Sequence, residues 1–559
     1  MTNKTFIKSA AATVWALSCA AAQAQTAPDA GRLLQEQSRP PELPQPAQGI
    51  TIQSPPLQMT PGGGAQVVVQ SINFTGNTRF SAAQLQAVLA DSLGKPLDLA
   101  GLRGLTNLIS EHYRAAGYAF ASAYLPPQPL KDGALQIAVV EGQYGQIKVQ
   151  SNDDQLASAA QAFLAPLRTG QVIESKPLER LSLILDDLPG LKITPILRPG
   201  QEVGTGDLDM KVERTERFAG DLRLDNHGNR YTGRTGVRLN LDINSPFALG
   251  DQLTLRSLLT DKEAMRMGTL GYSLPLGSSG LRGNISHART DYELGGSLAD
   301  SQSTGTAAIT SVGLSYPLLR SQQTNVSLSA NWQDKQLNDM YGDLKPSTKK
   351  TSNTLPITIS FDARNTWGGG GVTYGSLAWT SGKLNLDSTL AASDVQAQTA
   401  GRFDKLNLDV ARIQALNWGG SSNFTLFGRL SAQHAGKNLD SSEDFGLGGA
   451  TGVRAYPSGE AFGDEGWLAQ IELRYSAGAY APYAFYDAGN IKTNAKPVEQ
   501  AVSNERNLAG AGFGLRYQRG PWSADAALAW RLEGGLPQSD TQDLRLNGPQ
   551  AWINVAFKF

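Results

Sequence analysis

Beyond residue 217 apolar and polar residues alternate one by one. In residues 236–243, Val237, Leu239, Leu241 and Ile243 fall on one side and Arg238, Asn240 and Asp242 on the other. Leu222 and Leu224 alternate with Asp221, Arg223 and Asp225; Leu253 and Leu255 with Gln252, Thr254 and Arg256; and Ile553, Val555, Phe557 and Phe559 with Asn554 and Lys558. A period of two is the mark of a strand with one apolar and one polar face. A soluble sandwich turns its apolar side inward and uses shorter strands. Here many segments run about ten residues, which at roughly 3.3 Å each and a tilt of about 40° cross about 25 Å, the height of an outer-membrane barrel's apolar band.

Sixteen strands are predicted, beginning near residues 218, 234, 251, 265, 280, 304, 324, 351, 371, 402, 421, 466, 480, 507, 521 and 550. An even number suits a closed antiparallel barrel. Connections after even strands are brief, such as Asn244-Ser245-Pro246, 275–280, 365–370, 418–421 and Arg519-Gly520-Pro521. Those after odd strands are long and polar: 335–350, 383–401, 434–465, 488–506 and 532–549. Short turns on one side and long loops on the other predict a barrel whose N-terminus lies in the periplasm, closed by a last strand ending at Phe559.

Before residue 217 a helical period appears. Residues 67–74 read as a strand and 75–77 as a turn. Ser81 reads as an N-cap before a helix carrying Leu85, Val88 and Leu89. A second helix carries Leu102, Leu105, Ile109 and Tyr113 and stops at Gly117, before strands at 118–125 and 135–140. The order strand, helix, helix, strand, strand then recurs: a strand at 146–150, helices at 154–165 and 177–188, and strands at 191–197 and 207–213. Two copies of about 75 residues read as tandem α+β modules, 67–142 and 143–217, ahead of a barrel at 218–559.

The first residues read as an address. Lys4 and Lys8 precede an apolar run at 10–22 and Ala22-Gln23-Ala24, so cleavage is expected after Ala24 and residues 1–24 form a signal peptide. The run is too short to span a bilayer as a helix. The single cysteine, Cys19, falls within it, which leaves the mature chain no disulfide and no thiolate metal site. Residues 25–66 are linker-like, with Pro40-Pro41, Pro44, Pro46, Pro55-Pro56 and Gly62-Gly63-Gly64, and hold one short polar helix at 29–38.

Composition narrows the chemistry. Among 559 residues 40% are hydrophobic and 18% charged, and 49 Lys+Arg against 50 Asp+Glu give a net charge of -1. With no basic surplus to neutralise phosphates, nucleic acid is excluded as a partner. His112, His227, His287 and His434 fall on unrelated elements, and H-E-x-x-H, G-x-S-x-G and G-x-x-x-x-G-K-[ST] are absent from the sequence. No enzyme activity, metal or cofactor is expected.

Three local signatures remain. Residues 225–233 (Asp-Asn-His-Gly-Asn-Arg-Tyr-Thr-Gly) with 244–251 form a hairpin-and-turn pattern; Gly452-Val453-Arg454-Ala455-Tyr456 lies in the longest loop; and Phe485-Tyr486-Asp487-Ala488-Gly489 lies on the thirteenth strand. With tandem modules before a sixteen-stranded barrel, these resemble the POTRA-containing transporters of two-partner secretion, the family that exports haemolysins and filamentous haemagglutinin-like adhesins. The second signature is similar to that family's V-R-G-Y loop-six tip, with Ala455 in place of glycine, and the third to its F-x-D-x-G wall motif.

The resemblance implies an outer-membrane pore whose POTRA modules, in the periplasm, bind a large secreted partner with an N-terminal secretion domain. That partner would cross in an extended state without ATP, driven by folding outside. The rivals are an outer-membrane insertase of the same superfamily, which typically carries more modules, and a diffusion porin or surface receptor, which needs none. An unfilled sixteen-stranded bore would leak. Loop six, 434–465, with Gly446, Gly448, Gly449, Gly452, Gly459 and Gly463, is expected to fold inward and fill it. Arg454 would then make a bidentate bond to Asp487, in a lumen that also receives Glu472 and Arg474. Gly510, Gly512 and Gly514, which share one strand face with Arg516, are expected to leave a side-chain-free trough for the loop tip. Lumen water is expected to screen the pair, keeping its loss below roughly 3 to 5 kcal/mol. The helix at 29–38 would serve as a removable plug or as a tether.

Overall fold

The computed structural model describes residues 28–37, 43, 51–52, 63–129, 132–342, 347–418, 421–498, 504–539 and 548–559. The expected signal peptide and Cys19 lie outside them, as does most of the Pro-rich linker. Helix α1 (Ala30–Glu36) and the two-residue strand β1 (Thr51–Ile52) come first. The first module follows as β2 (Ser71–Thr75), α2 (Ala82–Val88), α3 (Leu99–Ala115), β3 (Ser122–Tyr124) and β4 (Ala134–Val140). Its sheet runs β2-β4-β3, with β2 parallel and β3 antiparallel to β4. Ser81 and Gln84 form a capping box on α2, and Leu102, Leu105, Ile109 and Tyr113 turn one face of α3 into the core. The strand expected from residue 118 begins only at Ser122, because Tyr118 closes a turn on Tyr113 and Ala121 and packs against Phe80.

The second module comprises β5 (Gln143–Gln150), α4 (Asp154–Gln161), α5 (Ser175–Asp186), β6 (Leu191–Pro199) and β7 (Thr205–Arg214). Its sheet order is β1-β6-β7-β5, so the remote strand β1 occupies one edge. Helix α5 rests on the short turns of the barrel. The Arg320 guanidinium grips Asp187 at 2.8 and 2.6 Å, the Gln322 amide donates to Glu179 at 2.7 Å, and Leu188 covers Gly250.

The barrel closes through sixteen antiparallel strands. They are β8 (Phe218–Asp225), β9 (Gly236–Asn244), β10 (Gln252–Thr260), β11 (Met265–Pro275), β12 (Arg282–Glu293), β13 (Ser303–Arg320), β14 (Thr324–Tyr341) and β15 (Thr348–Asn365). The second half is β16 (Gly371–Leu386), β17 (Gly401–Trp418), β18 (Ser421–Ala435), β19 (Glu465–Tyr475), β20 (Tyr480–Lys492), β21 (Glu505–Arg519), β22 (Trp522–Glu533) and β23 (Gln550–Lys558). β23 pairs with β8 from Asp221↔Lys558 to Asp225↔Asn554, which leaves no free edge to the lipid. Leu222, Leu224, Leu255 and Ile553 point outward, while Asp225, Asn240, Glu472 and Asp487 are buried within. Among the described residues no helix is long and apolar enough to cross a membrane; the strands do so.

One expected loop proves to be largely strand and another is shortened. Residues 335–341 extend β14 and 348–350 begin β15, paired from Asp339↔Thr348 onward, while 488–492 extend β20 and 505–506 begin β21. The inter-strand ladder continues past the lipid, where no apolar outer face is required.

Candidate functional site

The connection from β18 to β19, residues 436–464, turns back into the bore. Its root is held by charge: Glu443 receives Lys335 at 2.6 Å and Lys405 at 2.9 Å, and Lys350 meets Asp440 at 2.8 Å. Burial alone would raise the Glu443 carboxyl, but the two lysines override it and hold it at about 2. Midway, Phe445–Gly446 and Phe462–Gly463 pair as a miniature ladder. Below it the chain tightens, the Val453 amide donating to the Leu447 carbonyl at 2.7 Å. A Cβ on Gly452 would stand 2.1 Å from that carbonyl oxygen, so only glycine fits there.

Arg454 projects from the tip into the wall formed by β19 and β20. Its Nε and Nη2 donate to the two Asp487 oxygens at 2.8 and 2.6 Å, and its own amide adds a third bond at 3.1 Å. Nη1 reaches Glu472 at 2.5 Å, and the guanidinium lies 3.6 Å from the centre of the Phe485 ring. Both carboxylates and the ring face one way because Asp487 and Phe485 are two apart on β20, while Glu472 stands opposite Phe485 on β19. Glu472 also receives Arg474 at 2.7 Å and Arg516 at 3.1 Å. Gln470 donates to the Gly452 carbonyl at 2.9 Å, and Trp552 on β23 donates to the Arg454 carbonyl at 2.7 Å. The Tyr456 hydroxyl donates toward the carbonyls of Glu533, at the end of β22, and Gly535, in the loop that follows.

The expected Arg454–Asp487 pair is therefore present, and two expectations around it need correction. Glu472, expected in the same lumen, is the second carboxylate of the same guanidinium. The pair is not wetted: Asp487 is 0%, Glu472 3% and Arg454 5% exposed, so lumen water does not screen it. The glycine trough is divided. A Cβ on Gly510 would stand 2.3 Å from the Ala455 Cβ, so only this glycine seats the tip; Gly512 and Gly514 make room for the rings of Phe485 and Tyr483. Gly489 likewise admits the Leu447 side chain. Ala455 is fully buried and is not among the non-glycine residues with positive φ, so alanine sits in the motif's glycine position without backbone strain. Val453, Ala455 and Tyr456 join Leu447, Leu468 and Trp552 in one apolar cluster.

Helix α1 fills the bore beside loop six. Asp29 caps it and accepts from Lys350 and Ser441, which hold its carboxyl at about 2 against the opposing effect of burial. The Ala30 amide donates to Asp339 at 3.0 Å, Leu33 is buried among Leu258, Tyr292 and Leu337, and Gln35 donates to the Ser442 carbonyl. At the far end burial raises the Glu36 carboxyl to about 7, although Asn229 donates to it at 2.7 Å. This Asn229 belongs to the first-hairpin signature, whose turn its Oδ1 also organises by accepting from Tyr231 and Thr232. The lysines that root the loop, together with Gln470 and Trp552, carried no sequence motif. Lys335 and Lys350 fall within the segment 335–350 expected as a loop, so alternation gave no signal for them.

Comparison with known proteins gives a matching result. The family model described as "Haemolysin secretion/activation protein ShlB/FhaC/HecB" matches residues 204–517, and "POTRA domain, ShlB-type" matches 67–142. The chain is 28% identical over 493 residues to the heme/hemopexin transporter protein HuxB of Haemophilus influenzae (strain 86-028NP), covering 85% of this chain and 84% of that one. It is 22% identical over 485 residues to the outer membrane transporter CdiB of Dickeya dadantii (strain 3937), covering 84% and 83%. The solved structure of CdiB from Escherichia coli superposes with a TM-score of 0.69 at 21% identity, over 94% of this chain and 95% of that one; this likeness is one of fold.

Proposed function

The chain belongs to the haemolysin secretion/activation protein family, an outer-membrane transporter of two-partner secretion, and from that premise we propose how its bore is kept shut and opened. It exports a partner protein from the periplasm to the cell surface. At rest, loop six and α1 fill the lumen together. The Arg454 tip is the fixed point, gripping Asp487 and Glu472 while Gly510 and Trp552 hold its backbone. The two α+β modules capture an extended segment of the partner through a sheet edge, by main-chain bonds that read shape more than sequence. Capture displaces α1, loop six shifts, and the partner threads through and folds outside, which prevents its return.

The observation that carries this reading is the dry three-point grip of Arg454 on the wall of a barrel attached to tandem periplasmic modules. A diffusion porin needs neither a filled bore nor modules braced on its turns. The test is co-expression with large secreted proteins that carry an N-terminal secretion domain, scoring the medium. Export that depends on residues 67–142 supports the reading; barrel assembly in the membrane with no client released under any pairing overturns it.

A further inference from the structure

At its root the plug is a set of carboxylates seated on wall lysines. Lys335 on β14, Lys350 on β15 and Lys405 on β17 point into the bore, each with a side chain 10% exposed. Lys335 and Lys350 are diagonal neighbours: Lys335 stands opposite Ser352, and Lys350 lies two residues from Ser352 on the same face. Their carboxylate partners all come from the plug. Glu443 of loop six takes both Lys335 and Lys405, at 2.6 and 2.9 Å, while Asp440 of loop six and Asp29 of α1 each take Lys350 at 2.8 Å. Among the described residues no wall carboxylate forms an ion pair with the three lysines. Asp339, on the same face of β14, accepts instead from the Tyr292 hydroxyl and the Ala30 amide. The charges therefore cancel only while the plug is seated. Once loop six and α1 leave, three ammonium groups remain together on one side of a low-dielectric cylinder, and a cluster of one sign focuses its field there.

We propose that Lys335, Lys350 and Lys405 form a receiving site for an acidic stretch of the secreted partner, whose carboxylates take the seats that Asp29, Asp440 and Glu443 vacate. This deepens the export reading and rests on it: the plug's own carboxylates hold the site until the partner brings others. A lysine ammonium is a point charge with three donors on a flexible stem, so the site accepts Asp or Glu in many registers and fixes no sequence. One set of ion pairs replaces another, which keeps the exchange near balance. A passing chain is then drawn in without being trapped, as conduction through a pore requires.

The test uses the full-length transporter and two variants that break the same ion pairs. One neutralises the wall (Lys335→Gln, Lys350→Gln, Lys405→Gln) and the other the plug (Asp29→Asn, Asp440→Asn, Glu443→Gln). Both loosen the plug at its root, but only the second keeps the receiving lysines. In planar lipid bilayers under a potassium chloride gradient, openings of the plug variant should favour chloride over potassium by a ratio at least twofold above that of the wall variant. Decaglutamate on the extracellular side should block the plug variant at a concentration at least tenfold below decalysine, and the wall variant should show no such difference. A wall carrying arginine at all three positions should keep both properties. In cells, a client that passes the export assay above should leave at least tenfold faster through the plug variant than through the wall variant. Equal permeability ratios in the two variants, equal block of the plug variant by the two peptides, or equal export overturn the proposal. Channels that never open in the parent or in either variant contradict the plugged bore itself, a separate failure that removes the proposal with it.

Discussion

Replacing Arg454 by alanine removes three side-chain bonds and leaves Asp487 buried with only the Arg454 backbone amide at 3.1 Å and the Gln470 amide at 3.4 Å. Stranding one partner of a dry ion pair costs about 3 to 5 kcal/mol. The lower end applies, because Glu472 keeps Arg474 and Arg516. About 3 kcal/mol is roughly a hundredfold change in the ratio of seated to unseated tip. The barrel ladder does not depend on this contact, so the lost energy falls on loop six. Two assays separate these effects: heat-modifiable migration on gels reports the folded barrel, and protease access to residues 447–461 reports the tip. The expected outcome is normal barrel levels, a tip opened to protease and export reduced at least tenfold. Asp487→Asn added to Arg454→Ala should recover part of the tip protection by removing the stranded charge. Arg454→Lys should fall between, since an ammonium cannot serve two carboxylates in fixed directions. Export and tip protection in Arg454→Ala within twofold of the parent would show that this grip does not hold the tip.

Other contacts give independent tests. Gly510→Ala should unseat the tip at a cost of about 1 to 3 kcal/mol, as its Cβ would stand 2.3 Å from that of Ala455; adding Ala455→Gly should restore protease protection, and failure to do so would remove Gly510 from the seat. Gly31→Val should expel α1, since even a Cβ there lies 2.4 Å from Ser441 Oγ, and channel openings should become more frequent while Arg454 stays seated. Glu36 titrates at about 7 in the docked helix against an ordinary 4.5, so its contribution to docking is full below pH 4.5 and is lost as pH rises through 7. Openings recorded from pH 5 to 8 should increase, and Glu36→Gln should reduce that increase; an unchanged profile in the variant would contradict the assignment.

The barrel was legible because lipid and lumen impose opposite demands on alternate residues. The clearest strands, such as 236–243, show both at once. Where strands rise above the membrane the outward demand vanishes. Lys335-Gln336-Leu337-Asn338-Asp339 therefore read as loop, yet it is strand and supplies the lysine that roots loop six. Arg454 and Asp487 were found because each sits in a recognisable pattern and parity turns Asp487 inward. The share taken by Glu472 depends on its register opposite Phe485, and the bond from Trp552 joins residues 98 apart. Sequence alternation fixes which face a residue takes but not which neighbour it meets across the bore. Nor did the Pro-rich linker signal that two of its residues would join the β6 edge, because main-chain pairing leaves little trace in side-chain identity.

On this reading a hydrated bore is closed jointly by loop six and α1. Single-channel recording in planar lipid bilayers tests it most directly, comparing the parent with a folded variant lacking residues 28–37 and 442–462. The parent should show small, infrequent openings, and the variant a steady ionic current as large as a sixteen-stranded cylinder allows. A correctly folded variant that passes no more current than the parent would contradict the claim.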